Sequence, residues 1–511
     1  MSSPRWPAFL ALVLVLAGSL RIASTWPVFN HTIDEPDTLA AGMEYLTTGR
    51  YLYEDTHPPL GRVFAALGPY LAGERFRKGP DSYHEGYRIL GRGAHYDRIL
   101  ALGRAGNLVF FWIASLVAYL WGWRAGGPKA ALISTLLFTT LPPILAHAGL
   151  MTVDFALCAM TSAAALASLR WADLPTRGRS VLLGVAIALA CVSKFSALLY
   201  LPSAWLAMCV YHLAATRQRP AALWRELWCR RRPIALVAGT VALAIWAVYG
   251  FTFGRVDFLH LRLPAPRFFS GIHSVWLHNQ RGHPAYLLGQ RSPDGFWYYF
   301  PTVLALKTPL AMLALLAISP WLLRIRRHAA LAAAFSLGIV LVSMRGHIDL
   351  GVRYLLPVYT GLAVVCGCAA AQARGWLAKS AVALLIAWQI VSGALCHPDY
   401  LAYTNEITGS HPENFLADSD LDWGQDMKRL AAFLAEHHAM GVTFVPFNRT
   451  YGTLAGDAFP TIDPGDPAHP SPGWNAVSVS IWKIFNTPTW PGSQPHPQAR
   501  IGRSILLWYF P

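Results

Sequence analysis

Residues 33–62, IDEPDTLAAGMEYLTTGRYLYEDTHPPLGR, hold six carboxylates (Asp34, Glu35, Asp37, Glu44, Glu54 and Asp55) together with Arg50, His57 and Arg62. They follow directly on an apolar run, in a chain where only 14% of residues are charged. A carboxylate placed there can take a proton from an acceptor hydroxyl. An arginine fork suits phosphate oxygens. Each residue also has a plainer reading. Asp34, followed by Pro36 and Asp37, opens TLAAGMEYLTTG as the cap of an amphipathic helix would. HPPLGR at 57–62 sets two prolines beside His57 and Arg62, and as a bare string it is an ordinary turn.

Other ionisable residues stand near the ends of apolar runs. Asp154 begins one, where the helix dipole favours an acid. Lys194 interrupts ACVSKFSALLYLP, and snorkelling accounts for a lysine near a helix end. Arg104 and Arg353 sit at further span ends. A carboxylate at mid-bilayer costs roughly 2.5–3.5 kcal/mol on insertion scales, so the acids belong at an interface. On the spans set out below, Asp34, Glu35, His57, Arg62, Arg104, Asp154, Lys194 and Arg353 all map to the outer leaflet. Proton acceptors beside phosphate-holding cations suit displacement at a sugar carbon with a lipid phosphate leaving. The sequence has no GxxxxGK[ST] loop, so the energy must come with the substrate.

The elements that carry these residues are apolar helices. The chain has 511 residues, 54% of them hydrophobic, with mean hydropathy +0.35. A soluble domain is nearer a quarter charged. Eleven spans are predicted, near 7–29, 99–123, 129–146, 152–171, 180–197, 198–215, 233–253, 300–323, 328–344, 352–373 and 377–396. Arg5 before PAFLALVLVLAGSL resembles a signal peptide, but apolar character runs on to Phe29 and no small-x-small site follows. Arg124, Lys129, Arg170, Arg177, Arg179, Arg230, Arg324, Arg326, Arg327, Arg374 and Lys379 fall in alternate short loops, which places those loops in the cytoplasm. The same rule accounts for the net charge of +15, and no motif for nucleic acid accompanies it. The seven cysteines lie mostly in apolar runs and form no disulfide framework.

This pattern divides the chain into a polytopic α-helical part, 1–396, with long external loops at 30–98 and 254–299, and an extracytoplasmic cap, 397–511. The cap reads as α/β, with an amphipathic helix near 424–438, strand candidates VTFVPF and AVSVSIW, and a loop DPGDPAHPSPG.

The order of residues resembles the protein O-mannosyltransferases. In that family an Asp-Glu pair in the first external loop is followed by His-Pro-Pro-Leu-Gly-Lys, for which this chain has Arg62 in place of the lysine. LGRAGNLVFF is similar to the family's arginine at its second span, and GLMTVDFAL to its second-acid segment. VSKFSALLYLP and GVRYLLPVYTGL resemble segments of the wider family, which includes aminoarabinose transferases. The resemblance implies a GT-C glycosyltransferase fold, a polyprenyl-phosphate-linked sugar as donor, and a lipid, glycan or protein acceptor. It makes Asp34 the catalytic base with Glu35 supporting it. Arg104 becomes a donor-phosphate ligand, Arg62 a weaker one, and His57, Lys194, Arg353 and the second acid Asp154 looser carry-overs. The repeated β-trefoil module of eukaryotic members has no counterpart, which leaves protein mannosylation in question and sugar transfer intact.

The expectation is therefore an inverting, mannosyltransferase-like enzyme of the inner or plasma membrane, with its site and C-terminus outside and membrane lipids as its surroundings. The competing readings are a lipid-linked substrate transporter or flippase and a non-catalytic lipid-binding scaffold. No repeat symmetry of the transporter kind is visible. A cofactor is not called for. A divalent metal is left open, since His57, His84 and His95 share a loop without zinc-type spacing. Asn30 and Asn448 begin N-x-T sequons.

Overall fold

The computed structural model describes residues 6–323, 327–439, 441–446, 461–465, 469–484 and 497–511. Arg5, Arg324, Arg326, the Asn448 sequon and part of the 463–473 loop lie outside these described residues. Backbone polar groups have no water to bond in a bilayer, so apolar runs of this length must close their hydrogen bonds as helices. Among the described residues, seven helices are long and apolar enough to cross a membrane: Trp6–Ala23, Gly93–Thr139, Asp154–Asp173, Ala197–Thr216, Arg231–Val248, Val352–Gln372 and Gly375–Leu395. An eighth crossing comes from Tyr299–Lys307 and Leu310–Leu322 if that pair is one span. The protein is a multi-pass helical membrane protein.

Several predicted spans take a different form. The expected 300–323 span is bent by 108° at Thr308-Pro309, where proline lacks a backbone donor and keeps its predecessor extended. The predicted 99–123 span and the start of 129–146 join as Gly93–Thr139, interrupted at Gly127, whose φ of 78° suits a residue without Cβ. The rest of the second stretch is the short helix Pro142–Ala148. Predicted spans 180–197 and 328–344 are the shorter helices Arg177–Cys191 and Arg327–Ser343.

The basic loop ends meet at one end of the bundle. Arg124 bonds Asp173 at 2.6 Å, Arg230 donates to the Ala172 carbonyl, and Arg179 donates to the Arg170 carbonyl. Asp154 opens the 20-residue helix that Asp173 closes, so it stands about 30 Å away along the axis.

Beyond that far end, the first long loop folds as three helices, Glu35–Thr48, Pro59–Leu71 and Ser82–Leu90. They pack backbone to backbone. A Cβ on Gly42 would collide with the Arg62 carbonyl, and one on Gly86 with the Pro36 carbonyl. In the C-terminal region the helix forms over Met427–Glu436. A five-stranded sheet follows, in the spatial order Thr461–Pro464, Gly441–Val445, Gly473–Ser478, Ile505–Phe510, Ala499–Ile501. The first two pairings are parallel and the last two antiparallel. Only the first half of AVSVSIW is strand. At Ser478 the chain turns into the helix Val479–Ile484 because buried Asp422 takes the Ser478 hydroxyl and the Ser480 N–H. Leu430 and Leu434 of the C-terminal helix share one apolar core with Leu39, Met43 and Ile99, so this region is built onto the first loop.

Candidate functional site

Asp34 occupies the cap position of the helix Glu35–Thr48, yet its side chain makes no capping hydrogen bond. Instead Oδ2 accepts from Arg353 Nη1 at 2.8 Å. Arg353 comes from the 3₁₀ turn Val352–Leu355. The same Nη1 lies 3.9 Å from Asp154 Oδ2, and the other Asp154 oxygen accepts from Lys194 Nζ at 2.6 Å. The four charges alternate in sign along one line. Three of them are nearly closed off, with side chains 2% (Asp154), 6% (Lys194) and 8% (Arg353) exposed, whereas Asp34 is 34% exposed. Asp34 is the open end of the chain.

The two cations of this line are only partly engaged. Arg353 gives Nε to the Leu350 carbonyl and Nη1 to Asp34; among the described residues, Nη2 has no hydrogen-bond acceptor. Lys194 spends one of its three protons on Asp154 and holds its ammonium 3.9 Å from the Tyr354 ring centroid. Both therefore keep donors for a ligand. The Arg353 Cζ lies over the Trp423 ring, 4.4 Å from its centroid.

His57 stands by the same charges. Burial, then the positive Arg62 and Lys194, hold its imidazole down to about 3, so it is neutral at physiological pH. Its Nδ1 is buried, with no hydrogen-bond partner among the described residues.

Arg104, Arg62 and Glu35 lie buried in contacts within and around the first loop. Arg104 and Glu35 form a fully buried two-pronged pair, at 2.9 and 2.8 Å. Two further Arg104 donors reach the carbonyls of Phe29 and Asn30. Glu35 also accepts the N–H groups of Thr32 and Met151. Burial pushes this carboxyl up, but Arg104 and the two N–H groups outweigh it and hold it below the usual range. Arg62, wholly buried, bonds the Tyr51 hydroxyl, the Glu54 carbonyl and the carboxylates of Asp37 and Glu54. These two groups brace the loop, the first tying it to the second long helix and the second setting the 51–57 turn that carries His57. Asn30 is buried too, its amide donating to the carbonyls of His31 and Gly424, which removes this sequon from solvent.

The sequence reading gave DSDLDWGQD, residues 418–426, no site role. All four of its aspartates are buried, and it brings Trp423 against Arg353. A signal was available: four acids within nine residues are a surface pattern unless a partner is buried with them. Among the described residues, no group of three or more His, Cys, Asp or Glu side chains could hold a metal ion.

No protein-family model matches the chain, and no curated protein matches it. Solved structures do. The crystal structure of ArnT from Cupriavidus metallidurans bound to undecaprenyl phosphate is 13% identical, covers 97% of each chain and superposes with a TM-score of 0.55. The apo state of the same protein is 15% identical, with the same coverage and a TM-score of 0.53. The chain has the GT-C fold.

Proposed function

We propose that this chain, folded as a GT-C protein, is an inverting glycosyltransferase that moves a sugar from a polyprenyl-phosphate donor to an acceptor hydroxyl on the outer face of the membrane. The observation that carries the reading is the pairing of unspent donors on Arg353 and Lys194 with the open carboxylate of Asp34. The likeness to an ArnT bound to undecaprenyl phosphate supports the choice of lipid.

In this account the donor phosphate takes Arg353 Nη2 and the free Lys194 protons. Asp154 fixes both cations without competing for their outward donors. The acceptor hydroxyl gives its proton to Asp34 as its oxygen bonds the anomeric carbon. The bond from that carbon to the phosphate oxygen breaks, and its electron pair leaves on the polyprenyl phosphate, where the two cations stabilise the charge. Attack opposite the leaving group inverts the anomeric centre. Glu35–Arg104 and Arg62 hold the loop that presents Asp34 and His57. The 254–299 loop and the region 397–511 shape the acceptor side. With the arginine-rich helix ends in the cytoplasm, as the positive-inside rule requires, the site lies outside the inner or plasma membrane.

The test is native mass spectrometry of lipids retained by the gently solubilised protein and by Arg353→Ala and Lys194→Met. A polyprenyl phosphate or its glycosylated form, kept by the wild type and lost from both variants, is the expected result. Only bulk phospholipid on all three would refute the donor site.

A further inference from the structure

The turn that carries Arg353 is hydrogen-bonded to the segment 418–420, from the far end of the chain. Asp420 Oδ1 accepts the Val352 N–H at 2.9 Å, and Oδ2 accepts the Tyr299 hydroxyl at 3.4 Å. The same Tyr299 oxygen accepts the Gly351 N–H at 3.1 Å. Ser419 Oγ donates to the Leu350 carbonyl at 2.8 Å, and that carbonyl also receives Arg353 Nε at 3.0 Å. Lys307, buried where the broken helix bends, donates to the Asp420 carbonyl at 2.6 Å and to that of Leu401 at 2.7 Å. Gly351 has φ of 84°, and a Cβ there would lie 2.9 Å from Ser419 Oγ and 3.0 Å from the Asp420 carboxylate, so its backbone abuts these two side chains with no room for one of its own. Three residues further on, Trp423 supplies the surface under the guanidinium.

A guanidinium with one hydrogen-bonded carboxylate and a spare edge gains nothing from this network directly. The network fixes the peptide from which Arg353 springs, and the indole fixes the plane in which its fork lies. Resting on the reading of Arg353 as a donor-phosphate ligand, we infer that Asp420 and Trp423 are positioning residues for the lipid phosphate, acting through Arg353. The C-terminal segment is then part of the phosphate site and not a lid added to it. A monophosphate on a polyprenyl chain is the ligand class concerned.

The test is a double-mutant cycle on binding of undecaprenyl phosphate to the full chain in detergent. Asp420→Ala and Trp423→Leu should each weaken binding about tenfold, the size expected at the low end for a lost hydrogen bond to a charged group in the first case and for a lost cation–π contact in the second. Asp420→Asn, which keeps an oxygen for Val352 N–H, should recover most of the loss. In an Arg353→Ala background neither substitution should weaken binding further. Losses of the same size in that background would overturn the inference, because the residues would then act on the fold at large. Wild-type affinity in both Asp420→Ala and Trp423→Leu would overturn it as well. Unchanged binding by Arg353→Ala alone would instead sink the phosphate reading on which it rests. Trp423→Leu keeps the test alive if Asp420→Ala fails to fold, since it leaves the buried carboxylate network in place.

Discussion

Replacing Asp34 by asparagine should strengthen the binding of undecaprenyl phosphate while abolishing transfer. In the ligand-free protein Asp34 holds Arg353 Nη1 at 2.8 Å, so an arriving phosphate meets a guanidinium already engaged by a carboxylate. Two unit charges about 4 Å apart attract by about 4 kcal/mol at an effective dielectric near 20. Asp34 is one-third open to water, and measured pairs of that kind fall towards about 1 kcal/mol. A gain of about 1.4 kcal/mol, or tenfold in Kd, lies between these limits and follows from removing the competing charge. Loss of a general base costs about a hundredfold or more in turnover. Equilibrium binding to the purified chain at low salt reads the first effect, and glycosyl transfer from a polyprenyl-phosphate sugar reads the second. Weaker or unchanged binding would mean that Asp34 does not compete for the phosphate's place, and near-normal turnover would remove it as base.

Lys194→Met should weaken undecaprenyl phosphate binding by about ten- to a hundredfold in the same assay, since it removes a charged donor from the phosphate and leaves Asp154 with Arg353 alone at 3.9 Å. Arg104→Met should behave as a folding defect. Stranding Glu35 without its partner costs about 3–5 kcal/mol, read as a lower melting temperature, while the folded fraction binds the lipid with wild-type affinity. Asp426→Asn should shift the melting temperature in a pH-dependent way. Burial pushes Asp426 up to about 7, against 3.8 for an ordinary aspartate, so the folded state holds its proton more tightly than the unfolded one. Its contribution is complete below pH 4 and is lost as pH rises through 7. The variant, neutral throughout, should gain on the wild type by a larger margin at pH 8 than at pH 5; a margin independent of pH, measured by thermal unfolding, would contradict the shift.

Hydropathy made the bundle readable because length and apolarity are local properties of the chain. It could not tell a straight span from a broken one, although Gly127-Pro128 and Thr308-Pro309 stood at the breaks. The acids and bases of the site were visible as residue types in the wrong surroundings. Which cation met which acid was not visible, because that depends on how distant segments pack. Glu35 stands next to Asp34 in sequence yet turns to Arg104, whereas Asp34 reaches Arg353. A helix start offers both directions, and the side chains diverge. Family resemblance ordered the residues and carried over Arg104 and Arg62 as phosphate ligands; in the structure Arg104 bonds Glu35 and the Phe29 and Asn30 carbonyls, and Arg62 bonds Tyr51, Asp37 and the Glu54 carbonyl. The 418–423 segment carries no site role in the sequence because an acidic run reads as solvated surface until its hydrogen-bond partners, Val352 N–H and Tyr299, are known.

The most direct measurement is release of bare undecaprenyl phosphate from a set of undecaprenyl-phosphate sugars, followed by mass spectrometry with an acceptor-containing membrane extract, for wild type, Asp34→Asn and Arg353→Ala. The account predicts release together with a glycosylated product of inverted anomeric configuration for the wild type. Asp34→Asn should hold the donor without turning it over, and Arg353→Ala should fail to hold it. Equal release by all three proteins, or a product of retained configuration, would contradict it.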